Sequence, residues 1–208
     1  MSKLCSQVHL LFSSKQIVPF PFNPSKLPKN GIYVLFEDGE TAHGAKRIVR
    51  VGTHTGDDHL RLRLRQNFMQ DSKDRSGFRK MIGSAILQRD SDLFVKQWEL
   101  ELTTSEVKEG SQKVDLKRLA EVEKRVTEYI QKHFQLSVIE VKEKTERLEL
   151  ESKIISTISR CDECKPSAGW LGSHSPREKI RESGLWLMNE LYKTQLTDSD
   201  IEKLKVYL

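Results

Sequence analysis

The sequence predicts an α+β fold in which a small antiparallel sheet is flanked by helices, with a helical insertion and a C-terminal helical extension. Two short apolar runs, at residues 31–36 and 47–52, predict the two strands of a hairpin. A longer stretch at 114–134 carries apolar residues at intervals of three and four, which predicts the strongest helix. Further helical patterns lie on both sides of it, so helices outnumber strands.

The N-terminal residues 1–30 are predicted to form an extended arm. Prolines punctuate this segment too often for a helix, because each removes a backbone N–H donor and clashes with the preceding turn. These prolines are Pro19, Pro21, Pro24 and Pro28. The first strand follows directly, and a turn at Asp38–Gly39 is expected to lead to the second strand.

The remaining elements are predicted from periodicity and capping residues. Strands are expected at 93–102 and 136–141. Thr145 can cap a helix that runs to about residue 159. The other predicted helices span 59–69, 76–88 and 176–192, with a last short one starting near residue 198.

Length and composition indicate one domain, or one core with additions, in a chain of 208 residues. The mean hydropathy is −0.56, and no apolar run approaches the length of a membrane helix. The N-terminus lacks the apolar stretch and cleavage site of a secretory signal. We therefore expect a cytoplasmic protein that does not contact membranes, and nothing in the sequence indicates an organic cofactor.

The cysteines Cys5, Cys161 and Cys164 do not make a disulfide framework. Cys161 and Cys164 have the spacing of half a zinc site, but the sequence has no second pair of cysteines. His174 is the only plausible downstream ligand, and a structural zinc site usually needs four. The spacing therefore favours two reduced thiols in a loop over a zinc site.

The segment from residue 43 to residue 80 is basic, with ten Lys or Arg against four Asp. Clustered Arg and Lys are typical of surfaces that bind a phosphate backbone, although a solvated helix face has the same composition. The residues predicted to bind DNA are Arg47, Arg50, Arg61, Arg65, Lys73, Arg75, Arg79 and Lys80.

Glu151 stands out because helical spacing places it on an apolar face. It lies three residues after Leu148 and four before Ile155, whereas Glu149 and Lys153 lie on the other side. A carboxylate that faces a core costs several kcal/mol unless it is paired or bound to a metal. The pattern leaves a structural ion pair and a metal ligand equally open.

Arg63 and Asn67 lie four residues apart on the helix predicted at 59–69, so they project from one face. An Arg in this position can hold a phosphate oxygen and neutralise charge in a transition state. A solvated or salt-bridged Arg is the alternative.

These features, in this order, resemble the GIY-YIG nuclease family. The first motif is present as Gly31-Ile-Tyr-Val-Leu-Phe36, and Arg50-Val51-Gly52 stands in the second, Tyr-Ile-Gly, motif. Arg63 matches the family arginine and Glu151 the family metal-binding glutamate. The resemblance predicts a nuclease core at 31–160, with an insertion at about 72–134, and leaves 161–208 as the C-terminal extension.

The resemblance implies a metal-dependent endonuclease that hydrolyses DNA phosphodiester bonds. Mg²⁺ or Mn²⁺ would bind Glu151, Tyr33 would orient or deprotonate the attacking water, and Arg63 would stabilise the charge on the phosphate. A compact chain favours a restriction or defence enzyme with DNA as its partner, and a homodimer is a possible assembly.

Two departures from the family pattern leave alternatives open. Arg50 replaces the second tyrosine, and Asn67 stands where related restriction enzymes carry a His, which exchanges protons near neutral pH as Asn cannot. His54, just past the second motif, is a candidate replacement base. The alternatives are a catalytically impaired DNA-binding module on the same fold, and a protein-interaction domain that leaves Glu151 and the basic segment unexplained.

Overall fold

A computed structural model of the protein describes residues 2–102 and 114–207. Its centre is a three-stranded antiparallel sheet of β1 (Gly31–Ala42), β2 (Ala45–Gly52) and β3 (Phe134–Glu140), in the order β2-β1-β3. β1 is therefore the central strand, paired on both edges. The predicted α+β fold with a small antiparallel sheet is confirmed.

The hairpin of β1 and β2 is longer than predicted. Its loop consists of His43 and Gly44, whose positive φ angles of 52° and 72° are those of the two-residue turns that suit twisted hairpins. Gly39, with a φ of 83°, lies within a register shift of β1 between Phe36 and Thr41. The turn predicted at Asp38–Gly39 is thus an irregularity inside the strand.

Alternate residues of β1 face two separate cores. Tyr33 and Leu35 point into one core, and Ile32, Val34 and Phe36 point into the other. Every one of these side chains is almost fully buried. Helices therefore have to cover both faces of the sheet.

The helices divide between the two faces. The Tyr33 face is covered by α2 (Leu60–Phe68), α3 (Gly77–Arg89), α4 (Val95–Trp98), α5 (Leu116–His133) and α7 (Glu178–Ser183). The opposite face is covered by α1 (Ser2–Ser14), α6 (Lys144–Ser159) and α8 (Asp198–Tyr207). Short 3₁₀ turns lie at Pro24–Lys26, Lys73–Arg75 and Leu171–His174. Among the described residues, no helix is long and apolar enough to cross a membrane.

The N-terminal arm is a correction to the sequence prediction, because residues 2–14 form α1. The prolines that argued against a helix all lie beyond residue 18, so they leave this part of the chain free to be helical. Cys5, Val8 and Phe12 recur at helical spacing and are fully buried against the sheet.

Two further predictions were wrong. A strand was predicted at 93–102, but this segment contains the short helix α4. The helix predicted at 176–192 ends at Ser183, because Gly184 adopts a left-handed conformation with a φ of 67°. Its backbone N–H bonds to the Ile180 carbonyl and closes the helix. The chain beyond it is free to turn back toward the sheet.

Candidate active site

A cavity of about 490 Å³ opens beside the ends of β1 and β2. Tyr33 from β1, Arg63 from α2 and Glu151 from α6 all line it. Arg50 from β2 and Glu190 from the segment after α7 complete its polar wall. The structure therefore brings together the tyrosine, arginine and glutamate that the sequence placed on three different elements.

Tyr33 is fixed by a close approach to Gly52, the last residue of β2. The two residues are paired across the hairpin, and a Cβ atom on Gly52 would lie 2.5 Å from the Tyr33 hydroxyl oxygen. The tyrosine ring also packs edge-on against Phe68, with a centroid separation of 5.8 Å. Glycine at the end of the second motif is thus needed for the ring of the first motif to fit.

The hydroxyl oxygen of Tyr33 receives hydrogen bonds from two neighbours. Asn67 Nδ2 donates to it at 3.0 Å and Arg50 Nε at 3.4 Å. Because both neighbours donate, the hydrogen of the tyrosine hydroxyl remains free to point into the cavity.

Asn67 lies behind Tyr33 and has no exposed surface. Its side-chain oxygen accepts a hydrogen bond of 2.8 Å from Ser76 Oγ, while its amide nitrogen donates to the Tyr33 hydroxyl. The predicted catalytic role therefore needs correction, because a side chain buried in this way acts on a substrate only through Tyr33.

Arg50 occupies the position of the second tyrosine and is held on several sides. Its guanidinium group donates to the Trp186 carbonyl and lies over the Phe78 ring, 4.9 Å from the centroid. Only 7% of the residue is exposed. The sequence placed Arg50 on a DNA-binding surface, whereas the structure places it in the cavity wall.

Arg63 is partly buried and lines three cavities: the Glu151 cavity and two smaller cavities of about 260 Å³ and 250 Å³. Within residues 2–102 and 114–207 it makes no ion pair. An arginine at the junction of these cavities is available to bind an anionic ligand in a forked geometry.

Glu151 is partly buried where the chain supplies little to neutralise it. Burial, together with a smaller contribution from the charge of Glu190, raises its pKa to about 7. The charges of Arg50 and Arg63 and a hydrogen bond from the Thr53 backbone N–H act in the opposite direction. No contact ion pair to Glu151 forms among the described residues, so the structural ion pair that the sequence left open is not made. A carboxylate in this setting suits a hard divalent cation, which prefers oxygen ligands and waters.

His54 does not line the Glu151 cavity. It lies along the neighbouring cavity of about 260 Å³, with Gly56, His59 and Arg63. Its Nδ1 donates to the Gly56 carbonyl at 2.6 Å, and burial lowers its pKa. The structure therefore places the proposed replacement base beside the cavity that Arg63 shares, but outside the cavity that Tyr33 and Glu151 line.

Three of the predicted DNA-binding residues are buried and paired inside the protein. Arg47 bonds to Glu40 and to the Gly184 carbonyl. Arg79 pairs with Glu123 at 2.8 Å. Lys73 bonds to Asp74 at 2.8 Å and to the Leu100 carbonyl. Because a buried ion pair satisfies these charges, the assignment of Arg47, Lys73 and Arg79 to DNA contact was wrong.

The other predicted DNA-binding residues are more accessible. Arg65 and Arg75 are exposed, and Arg61 is partly exposed with its Nε bonded to the Leu27 carbonyl at 2.7 Å. Lys80 lines the cavity of about 250 Å³ together with Arg50, Arg63 and Arg177. Arg65 and Arg75 therefore remain accessible to a ligand in solution, whereas Lys80 lies 3.9 Å from the Glu99 carboxylate.

Sequence reasoning missed the part of the site that follows α7. Glu190 lines the cavity and Trp186 anchors Arg50 through its carbonyl oxygen. The sequence analysis placed both in a continuous helix over 176–192, whereas the helix ends at Ser183. The glycine at position 184 was the local signal that the helix stops.

The fold is that of a nuclease domain, and its cavity brings together a tyrosine, an arginine and a glutamate. A family model described as GIY-YIG domain matches residues 22–206. The chain therefore belongs to the GIY-YIG family, an endonuclease-type fold that acts on DNA and generally depends on a divalent metal ion. No curated protein and no solved structure matches the chain.

Proposed function

We propose that this chain is a metal-dependent endonuclease that hydrolyses phosphodiester bonds in DNA. The observation that supports this proposal is the shared cavity of Tyr33, Arg50, Arg63 and Glu151. It holds a hydroxyl group that can orient water, two cations that can neutralise phosphate charge and a carboxylate for a metal ion. These are the parts that in-line attack on a phosphodiester needs.

Each residue has a distinct role in this proposal. Glu151 would hold Mg²⁺ or Mn²⁺, which supplies a Lewis acid when bound. Tyr33 directs its hydroxyl hydrogen bond to the water that attacks phosphorus. Arg63 contacts a non-bridging phosphate oxygen, because its guanidinium group has no competing ion pair in the described parts of the chain.

Arg50 adds a second positive charge where relatives carry a tyrosine. Its Nε is committed to Tyr33 and one terminal nitrogen to Trp186. Arg50 therefore positions the tyrosine and contributes its charge through the wall of the cavity. Asn67 is a positioning residue for the same hydroxyl group.

The exposed Arg65 and Arg75, and Lys80 in a neighbouring cavity, support DNA, double-stranded or single-stranded, as the substrate. Arg65, Arg75 and Lys80 would contact the phosphate backbone on either side of the scissile bond. Contacts to DNA made by the nuclease domain itself suit a restriction or defence enzyme. Action as a homodimer, with one cut in each strand, belongs to the same proposal.

Cleavage of plasmid DNA with and without Mg²⁺ tests the proposal. The chain should cut only with the metal present, and Glu151→Gln should abolish cutting. Glu149→Gln is the matched control, because Glu149 lies on the same helix, is exposed and pairs with Lys153 at 2.6 Å. Full activity in Glu151→Gln, or no cutting by the wild-type chain on any DNA offered, would contradict the assignment.

A second candidate is a DNA-binding module with impaired catalysis. The observation that favours it is the pair of departures at Arg50 and Asn67, both of which contact the Tyr33 hydroxyl. If position 67 lacks a needed proton carrier, Asn67→His should raise the single-turnover rate by about 10²–10⁴-fold.

We expect no such gain from Asn67→His, because the position is fully buried and bonded to both Ser76 and Tyr33. A larger ring there has to displace its neighbours. A rate increase would favour the impaired module, and steep salt dependence of DNA affinity without any cleavage would favour it too.

A further inference from the structure

Four potential metal ligands converge at the hairpin loop, far from the active-site cavity. They are Cys5 from α1, His43 from the loop between β1 and β2, and Cys161 and Cys164 from the turn after α6. Their ligand atoms all lie within 4.8 Å of one another. All three cysteines of the chain belong to this cluster and none is in a disulfide.

The separations suit a tetrahedral centre. Cys5 Sγ lies 3.2 Å from Cys164 Sγ, and His43 Nε2 lies 3.2 Å from Cys164 Sγ and 3.4 Å from Cys161 Sγ. Ligands of a tetrahedral zinc ion with ordinary Zn–S and Zn–N bond lengths lie roughly 3.5–3.8 Å apart. These three separations are slightly shorter than that and all others are at most 4.8 Å, so small side-chain shifts would accommodate the ion.

The orientation of His43 is that of a metal ligand. Its Nε2 faces the sulfurs, while Nδ1 lies 3.5 Å from the Glu163 carboxylate. A carboxylate on the far nitrogen is the usual outer partner of a zinc-bound histidine, because it fixes the ring and the proton. Only 5% of the His43 side chain is exposed.

The backbone also supports this placement of His43. Its φ of 52° is uncommon for a residue other than glycine, and histidine tolerates this conformation better than most residues do. The two-residue loop thus turns the imidazole inward over the sulfur atoms. His9, fully buried on α1, donates Nδ1 to the Cys5 carbonyl at 2.9 Å and so braces the helix turn that presents Cys5.

We propose that Cys5, His43, Cys161 and Cys164 bind one structural zinc ion. The set of three sulfurs and one imidazole nitrogen leaves no coordination position for a substrate, so the ion would be structural. It would fasten three segments: the N-terminal helix, the hairpin loop and the turn after α6. Cys5 lies before residue 22, where the family match begins, so the ion would join α1 to the nuclease domain.

The proposed zinc site is separate from the active-site cavity. Tyr33 and Ala42 lie at opposite ends of β1, and nine residues of strand span roughly 30 Å. The inference therefore stands independently of the proposed nuclease function, and its test requires no cleavage assay.

The first experiment measures metal in the full-length chain, purified under reducing conditions without chelator. We expect about one zinc per chain, released when the thiols are modified with a mercurial reagent. Replacement of the zinc by Co²⁺ should give the strong visible absorption of a tetrahedral thiolate site. A chain that holds no zinc and gives no such spectrum with Co²⁺ overturns the proposal. So does a native Cys5–Cys164 disulfide in freshly purified protein.

The second experiment compares His43→Asn with His174→Asn. Asparagine suits the positive φ at position 43, so this variant keeps the hairpin turn while removing the nitrogen ligand. We expect His43→Asn to bind zinc at least tenfold more weakly and to change the Co²⁺ spectrum. His174 is exposed and outside the cluster, so His174→Asn should match the wild-type chain.

Cys5→Ser tests the link to α1. It should lower zinc affinity and the melting temperature, and added zinc should no longer raise that temperature. If Cys5→Ser does not fold, His43→Asn and the metal content of the wild-type chain still decide the matter. Unchanged zinc affinity and Co²⁺ spectrum in His43→Asn would overturn the ligand set.

Discussion

The substitution Glu151→Gln should remove cleavage and at the same time stabilise the metal-free protein. Glu151 is held in a cavity where burial outweighs the charges of Arg50 and Arg63, and Glu190 adds repulsion. Glutamine has nearly the same shape but carries no charge to be desolvated. The proposed metal ligand therefore destabilises the fold when no ion is bound.

The magnitude follows from the pKa of Glu151, which rises from its ordinary value of 4.5 to about 7 in the folded chain. Between these pH values the folded state retains a proton that the unfolded state has released. The free energy of unfolding therefore falls as pH rises through this window and levels off above about pH 7. The full difference corresponds to at most about 3 kcal/mol, since the side chain is only partly buried.

Urea denaturation of the wild-type chain and Glu151→Gln between pH 5 and pH 8, with no divalent cation added, measures this difference. We expect Glu151→Gln to gain stability relative to the wild-type chain across that range, while the control Glu149→Gln shows no such trend. Added Mg²⁺ should restore stability to the wild-type chain alone, because only its carboxylate binds the ion. A difference that does not change with pH, or a destabilised Glu151→Gln at pH 8, would refute the reasoning.

Three further predictions concern the residues around the site. Gly52→Ala should slow cleavage by about 10²-fold without unfolding the chain, because its Cβ would lie 2.5 Å from the Tyr33 hydroxyl; a normal single-turnover rate would contradict this. Asn67→Asp should have a similar effect, because a carboxylate accepts the tyrosine hydrogen and turns it away from the cavity; equal rates would exclude a positioning role. Arg65→Ala should lower the slope of DNA affinity against salt concentration by about one released counterion, with the fold intact. Arg79→Ala should instead lower the free energy of unfolding by about 3–5 kcal/mol, because it leaves Glu123 buried without its partner. Denaturation curves of the two variants distinguish these outcomes.

The elements predicted correctly are those with a strong local signal. The helix predicted at 114–134 appears as α5 because its apolar residues recur at helical spacing over many turns. The strands that carry Tyr33 and Gly52 each contain a short apolar run, which is what predicted them. α1 was missed although Cys5, Val8 and Phe12 have helical spacing, because the prolines that follow it were applied to the whole segment.

The arginines show where local reasoning fails. Arg79 and Arg65 have the same residue type and lie in the same basic segment, yet one is fully buried and the other exposed. The difference is a carboxylate at position 123, on a helix separated in sequence by the whole of α4 and the segment that follows it. A count of charges along the chain cannot tell a paired cation from a free one, because the partner comes from the tertiary fold.

The cysteine cluster carries the same argument further. Cys161 and Cys164 have the spacing of half a zinc site, and the histidine that follows them in the sequence is His174. The histidine that meets them is His43, brought there by a hairpin loop whose two residues both have positive φ. The third thiol comes from a helix that the sequence had taken for an extended arm. The ligands of this site come from three segments that are distant in sequence and meet only when α1 packs against the sheet. The proposal that they bind zinc therefore rests on tertiary structure.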